Sequence, residues 1–464
     1  MTKLASYHLP GLAVEDHAID VPLDWRGLEP AALAANPGLR GTATAIPGAP
    51  DAIRLFYRVV TAPENANREL PLLIFLQGGP GGAGPRLTSP TSDGWIEEAI
   101  RHFRVVLPDQ RGTGRSSRVS RHMTEAVPGA RAQADLLKRH LARSIVKDFE
   151  YLRLTAFEGR PWTTLGQSYG GFLTLTYLSF YPESVAASFT CGGIPHVPAS
   201  AGEVYAHTVP RMAAKTRQFY ARYPGDEGRV TALANALEVG GLRLPDGAPL
   251  SVRRLQLMGS DFGMKPCFER MHNILDTAFE EGDGTLAAGR KPVVTDAFIS
   301  AAFERTSTAA NPLYWTLQEL IYADGELEEP LRWAAARELA RRPEFSEDAR
   351  PLLFTGEASL PWLFEEDPVL MPLKPALDLL MEDTSFDRIY DAEALAANTV
   401  PLTAAVYFDD MYVDAGLQLD TLSRVGASRA WVTNEFEHDG LHGTAVFRHL
   451  FEEARGRGDL SAIF

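Results

Sequence analysis

Short apolar runs, each about a strand long and bounded by proline, glycine or charge, mark the first two fifths of the chain. Residues 70–76, 103–107 and 162–165 and Val185–Cys191 are apolar or β-branched at nearly every position, the pattern of strands buried on both faces. Helix or loop separates them, which is the alternation of a parallel α/β sheet. Residues 13–21 and 53–60 instead alternate apolar with polar and predict an antiparallel edge. From about Pro195 to Asn398 the pattern turns to successive helices, for example 199–223, 312–323 and 328–342, with few strand signals. Strand patterns return at 402–408 and 429–433, and a last helix is expected over 440–455. Two isolated C-terminal strands could not bury themselves, so an interrupted domain fits better than two domains in tandem. The expected division is an α/β core in residues 1–195 and 399–464, with a helical cap in 196–398.

A length of 464 residues can hold a large core with such an insertion. The balance of 45 basic against 60 acidic residues gives a net charge of −15, which argues against nucleic acid and anionic membranes as partners. Two cysteines, Cys191 and Cys267, are too few for a disulfide framework and form no CxxC pair. The first ten residues lack the apolar core of a secretory signal, and 70–76 is too short to span a bilayer. These features predict a cytoplasmic protein.

The chemistry begins at Gly166-Gln167-Ser168-Tyr169-Gly170-Gly171. A strand pattern precedes it and a helical one, 172–180, follows. That is the setting in which G-x-S-x-G forms a nucleophile elbow, with the serine hydroxyl lifted above the sheet edge. Glycine on either side relieves the crowding of so tight a turn, which explains Gly166 and Gly170. A serine hydroxyl is a weak nucleophile until a base takes its proton, and the base needs an orienting acid. In this fold the partners follow in the order Ser, Asp, His, at the C-terminal ends of strands. The strand 402–408 leads into Asp409-Asp410, and 429–433 leads into a loop holding His438. Asp410 is the expected acid and Asp409 a turn residue. His438 is preferred to His442, which falls within the expected helix. The tetrahedral intermediate needs backbone N–H donors. Gln77-Gly78-Gly79-Pro80-Gly81-Gly82 follows the first buried strand, which makes the N–H groups of Gly79 and Tyr169 the expected oxyanion hole. No Lys-Ser/Thr follows this glycine run, which argues against a P-loop.

Taken together, Gly78-Gly79-Pro80-Gly81-Gly82, Asp109-Gln110-Arg111-Gly112-Thr113-Gly114-Arg115-Ser116, the elbow, Asp410-Met411 and the late His438 resemble the prolyl aminopeptidases (proline iminopeptidases) of the α/β-hydrolase fold. The family's glycine run is usually preceded by His; here Gln77 stands there, which predicts altered hydrogen bonding in that loop with the chemistry intact. The loop 109–116 reads as one pinned by Arg111 and its glycines. The resemblance implies a serine exopeptidase that releases N-terminal proline from short peptides through an acyl-enzyme, without metal or organic cofactor. It also implies cap carboxylates that bind the protonated amine. Glu319, beside a buried stripe in Asn311–Tyr322, and Glu357, in Thr355-Gly356-Glu357, are the candidates. Tyr314, Trp315, Trp362 and Phe364 are the aromatics available to wall a pyrrolidine pocket, or to serve as core. An esterase or amidase of the same fold, acting on small uncharged substrates, is the alternative.

Overall fold

Leu72, Ile74 and Leu76 point to one face of their strand and Leu73 and Phe75 to the other, and all five are buried. A strand of this kind must lie inside a sheet covered on both sides. The computed structural model, which describes residues 1–42, 45–281 and 292–464, has it there. Its strands are β1 (Thr2–Leu9), β2 (Leu12–Pro22), β3 (Ala52–Thr61), β4 (Leu72–Leu76), β5 (Arg104–Pro108), β6 (Trp162–Gln167), β7 (Val185–Cys191), β8 (Leu402–Tyr407) and β9 (Ser428–Thr433). They form one sheet in the order β1-β2-β3-β5-β4-β6-β7-β8-β9. The first three strands join antiparallel, and every pair from β5 through β4 to β9 is parallel.

Helices cover both faces. Leu72, Ile74 and Val106 meet Ile145, Phe149 and Leu173 on one side. On the other, Leu73, Phe75 and Val105 meet Trp95, Ile96, Phe447 and Phe451. This is the α/β-hydrolase fold. The helical cap is inserted between β7 and β8, which pair directly, Ser188 opposite Leu402 and Cys191 opposite Ala405. The long helix Ala201–Arg222 opens the insertion, with the Ser200 hydroxyl accepting from the Glu203 N–H as its N-cap.

Several elements differ from expectation for local reasons. The antiparallel region gains β1 as its outer strand; its residues are mostly exposed, so no apolar alternation announced it. The strand expected from residue 70 begins at Leu72, because Pro71 has no N–H to donate. The helix expected over 312–323 is Pro312–Leu317 followed by a separate 3-10 turn, Leu320–Tyr322. The helix expected from 328 starts only at Ala334, because Arg332 and Trp333 adopt left-handed backbone with φ of 49° and 55°. Among the described residues no helix is long and apolar enough to cross a membrane.

Candidate active site

Ser168 joins β6 to the helix Tyr169–Phe180 with φ 54° and ψ −126°. That conformation is strained for a non-glycine residue and persists only where its surroundings enforce it. The enforcement is steric. A Cβ on Gly166 would lie 2.4 Å from the Gly170 carbonyl oxygen, and one on Gly170 would lie 1.7 Å from that of Leu76. On the far side, a Cβ on Gly193 would lie 2.3 Å from the Ser168 carbonyl oxygen. The Ser168 N–H donates to the Cys191 carbonyl at 3.1 Å. The serine is thus wedged between β4 and the end of β7.

Asp410 follows β8 and His438 follows β9. His438 Nδ1 and Asp410 Oδ2 are 2.7 Å apart. The other carboxylate oxygen, Oδ1, accepts from the Tyr412 N–H at 2.8 Å and the Val413 N–H at 3.1 Å. Every orientation of Asp410 is therefore taken. Burial pushes the His438 imidazole down, but the Asp410 carboxylate and its hydrogen bond, with Glu357 and Asp439, hold it above the usual histidine range. The loop between β7 and the cap ties this pair to the serine. A Cβ on Gly192 would sit 3.2 Å from Asp410 Oδ2, while Gly193 abuts Ser168. Asp409 is half-buried at the turn, and His442 lies apart, its Nδ1 2.9 Å from Asp93.

The glycine loop after β4 lies against the elbow. A Cβ on Gly78 would be 3.0 Å from that of Ser168. Gln77 braces the loop at both ends, its Nε2 donating to the Ala83 carbonyl and its Oε1 accepting from the Gly78 N–H, each at 3.2 Å. Gly79 has φ 124°, open to glycine alone. Tyr169 begins the helix after the serine, where first-turn N–H groups have no helical partner. Arg111 pins the 109–116 loop from within the core. It pairs with Asp148 at 2.5 Å and donates to the carbonyls of Pro22, Leu23 and Arg139.

The cap closes over this arrangement through the segment that begins at Asn311. A Cβ on Gly81 would meet Leu313 Cβ and Asn311 Oδ1 at 2.8 Å, so the glycine loop and the helix Pro312–Leu317 touch. One turn further on, the Tyr314 hydroxyl donates to Glu357 Oε1. Burial raises the Glu357 pKa; His438 and hydrogen bonds from Tyr314 and Gln318 oppose the rise, and Asp410 adds to it. The carboxylate is thus close enough to feel both His438 and Asp410. Tyr205, Tyr322 and Tyr412 complete an aromatic wall. Tyr322 lies 5.9 Å from Phe172 of the elbow helix and 6.1 Å from Tyr205, and Tyr412 lies 4.8 Å from the His438 ring.

Sequence reasoning offered other aromatics. Tyr314 is in the wall, with Trp315 edge-on to it at 5.0 Å. Trp362 and Phe364 pack elsewhere, against the Arg253 guanidinium at 5.3 Å and the Trp333 ring at 5.6 Å. Tyr205, Tyr322 and Tyr412 gave no sequence signal, because each sits in an element whose angle to the core the pattern does not encode. Glu319 is fully buried, as the helical stripe suggested. Its oxygens, however, accept from the backbone N–H groups of Ala334 at 2.5 Å and Ala335 at 3.3 Å, capping the helix Ala334–Ala340. Burial lifts its pKa to about 7, and these two N–H donors and Arg337 limit the rise. Among the described residues no group of three or more His, Cys, Asp or Glu could hold a metal ion.

The family described as alpha/beta hydrolase fold matches residues 71–234. A proline iminopeptidase of Aeromonas sobria is 37% identical over 442 residues, covering 95% of this chain and 96% of that protein. The chain belongs to the proline iminopeptidase family. Another proline iminopeptidase, from Aspergillus aculeatus, is 30% identical over 404 residues, 85% of this chain and 87% of its own. One from Neisseria gonorrhoeae is 33% identical over 122 residues, 26% of this chain and 32% of its own. Family membership thus extends across both core and cap.

Two outcomes follow from the site's construction. Gly170→Ala forces a methyl group onto the Leu76 carbonyl, and a loss of at least about 3 kcal/mol in denaturant unfolding is expected; a near-wild-type midpoint would show that the elbow relaxes freely. Glu319 holds its proton to about pH 7 when folded, against 4.5 for an exposed glutamate. Its contribution to stability is therefore complete below pH 4.5 and lost as pH rises through 7. Glu319→Gln, which cannot ionise, is expected to reduce the fall in unfolding free energy between pH 5 and 8 by about 3 kcal/mol. An unchanged slope contradicts that.

Proposed function

We propose that the protein is a serine exopeptidase that removes N-terminal proline from short peptides, with the residues 196–398 acting as the cap that limits access. Ser168 attacks the carbonyl carbon of the first residue, and His438 takes its proton at Nε2. Asp410 holds the imidazole tautomer through Nδ1 and stabilises the imidazolium that forms. The N–H groups of Gly79 and Tyr169 receive the developing oxyanion. His438 then protonates the leaving amine, and water activated by the same imidazole releases proline from the acyl-enzyme. No metal or organic cofactor enters these steps.

The observation that carries the exopeptidase reading is Glu357, a half-buried carboxylate that accepts from the Tyr314 hydroxyl and lies within electrostatic reach of His438. A carboxylate partly withdrawn from water is costly without a cationic partner. A substrate's protonated N-terminal amine would supply that partner by a charge-assisted hydrogen bond, and an interior peptide bond could not. In an N-terminal residue the amine nitrogen is two bonds from the scissile carbonyl carbon, so the amine site must adjoin the nucleophile. Glu319, with both oxygens engaged by backbone N–H groups, fits a supporting role: it fixes the start of the helix Ala334–Ala340.

The pH dependence has a definite sign. His438 must be neutral to accept a proton and Glu357 ionised to bind a cation, and both groups are raised. The acid limb of kcat/KM is therefore expected above pH 6.5.

The test is a panel of aminoacyl-arylamides with free and blocked N-termini. Prolyl-arylamide should be cleaved and its N-acetyl form should not. Asp410→Asn should lower kcat about 10⁴-fold. Glu357→Gln should lower prolyl-arylamide turnover at least about 100-fold while changing a simple aryl ester by no more than about threefold. Strong cleavage of blocked substrates, or equal losses on amide and ester, would favour an esterase or amidase acting on uncharged substrates.

A further inference from the structure

The core helix Ala142–Ala156 begins in a way that its dipole disfavours. The N-terminal end of a helix carries partial positive charge and is ordinarily met by a capping side chain or an acidic residue. Here Leu141 supplies no side-chain cap and the first turn holds no acid; it holds Arg143 and Ser144 instead. The Arg143 guanidinium lies over the Phe180 ring, 3.5 Å from its centroid, and forms no salt bridge among the described residues. Ser144 is 3% exposed, and its hydroxyl has no hydrogen-bond partner among the described residues. An unpaired cation and an unmatched buried hydroxyl at one helix N-terminus point to an anion that supplies what both lack.

Both residues line a cavity of about 290 Å³, the small end of the range for small-molecule sites. Its other charged walls are Arg26, Lys147, Arg388 and Asp387. Four cations thus face one carboxylate, in a chain whose net charge is −15. Lys147 contributes charge alone, because its ammonium donates to the carbonyls of Trp25 and Leu28 and pairs with Glu29 at 2.9 Å. Arg26 grips Asp24 through Nε and Nη2, and its Nη1 remains without a partner. Arg388 donates from Nε to the Tyr390 carbonyl and comes no nearer than 4.0 Å to Asp391. Asp387, the one carboxylate, faces Arg139 at 3.9 Å, across an adjoining cavity that shares Arg26 and Asp387 with this one. Uncommitted donors therefore come from three elements: the turn after β2, the helix N-terminus and the end of the cap.

The geometry points to a binding site for a phosphate-class anion, either free phosphate or a small phosphate monoester, between the N-terminus of Ala142–Ala156, Arg26 and Arg388. None of its residues enters the catalytic steps above, so it stands or falls independently of the exopeptidase reading. A carboxylate is flat, with two oxygens and one charge. A phosphate presents three terminal oxygens in three directions and up to two charges, which suits donors from three elements and an excess of guanidinium. Its five heavy atoms do not fill a cavity of this size, which leaves room for the organic part of a small ester. Arg26, Arg143 and Ser144 belong to the core, and Asp387 and Arg388 to the insertion between β7 and β8. A bound anion therefore ties the end of the cap to the core and stabilises the folded chain by mass action.

The test is calorimetric titration of the whole protein with inorganic phosphate, ribose 5-phosphate and acetate, at one ionic strength and about pH 8, where a phosphate monoester is a dianion. One phosphate or one ribose 5-phosphate should bind per chain, at least about tenfold more tightly than acetate. Arg143→Gln should weaken that binding at least about tenfold and Ser144→Ala about threefold. Arg455→Gln removes the same charge from the exposed side of the last helix and should change it less than about twofold. Tighter binding of ribose 5-phosphate than of phosphate assigns the site to an ester, and the reverse assigns it to the free ion. Absence of saturable binding by either, phosphate no tighter than acetate, or binding that Arg143→Gln leaves unchanged or weakens no more than Arg455→Gln does, overturns the site. The comparison of phosphate with acetate uses wild-type protein alone, so it decides the matter even if a variant does not fold.

Discussion

A serine backbone held at φ 54° and ψ −126° is the constraint on which the rest of the site depends. Left alone, the chain would relax out of that conformation. It cannot, because glycines on three sides let neighbouring backbone press against it: Gly170 under Leu76, Gly166 under Gly170 and Gly193 against Ser168 itself. The parallel sheet supplies this compression. β4, β6 and β7 are adjacent, and their C-terminal ends deliver the glycine loop, the elbow and the 191–193 loop to one place. Adjacent β8 and β9 bring Asp410 and His438 to the same edge.

The cap is part of this arrangement as well as a cover for it. The His438 N–H donates to the carbonyl of Gly263, a cap residue, at 2.9 Å. Next to it, Glu437 pairs with Lys215 of the long cap helix at 2.5 Å, and both side chains are largely withdrawn from water. Breaking such a pair leaves an uncompensated charge, so it fixes geometry more than it adds stability. Asp439 accepts from the Lys265 N–H, and the Tyr412 hydroxyl donates to the Ser260 carbonyl. The loop that presents the imidazole is therefore gripped from the cap on both sides of residue 438. A displacement of the cap would move the proposed base together with Glu357, the proposed amine-binding carboxylate, which couples substrate enclosure to alignment of His438.

Much of this was legible in the sequence, for reasons that can be stated. The buried strands announce themselves because a strand covered on both faces must be apolar throughout, and the elbow does because its geometry admits only glycine at fixed offsets. The order Ser168, Asp410, His438 follows from strand ends that an insertion leaves in sequence order. What remained hidden depends on tertiary placement. β1 is an exposed strand without apolar alternation. The start of the helix at Ala334 depends on two left-handed residues and on a carboxylate fifteen positions earlier. Glu319 read correctly as buried, yet the sequence could not say that backbone N–H groups from Ala334 and Ala335 would occupy it. Tyr205, Tyr322 and Tyr412 come from three separate segments and gather at the site only because the cap folds back over the strand ends. No periodicity within any one of them records that meeting.

The activation of one alcohol by an imidazole from the far end of the chain is tested most directly by its reaction with a fluorophosphonate, mapped by mass spectrometry and followed as a function of pH. A single adduct on Ser168 is expected, formed at a rate that rises with pH through an ionisation above 6.5 and falls at least about 100-fold in Asp410→Asn. An adduct on another residue, or a Ser168 rate indifferent to both pH and Asp410, would contradict it.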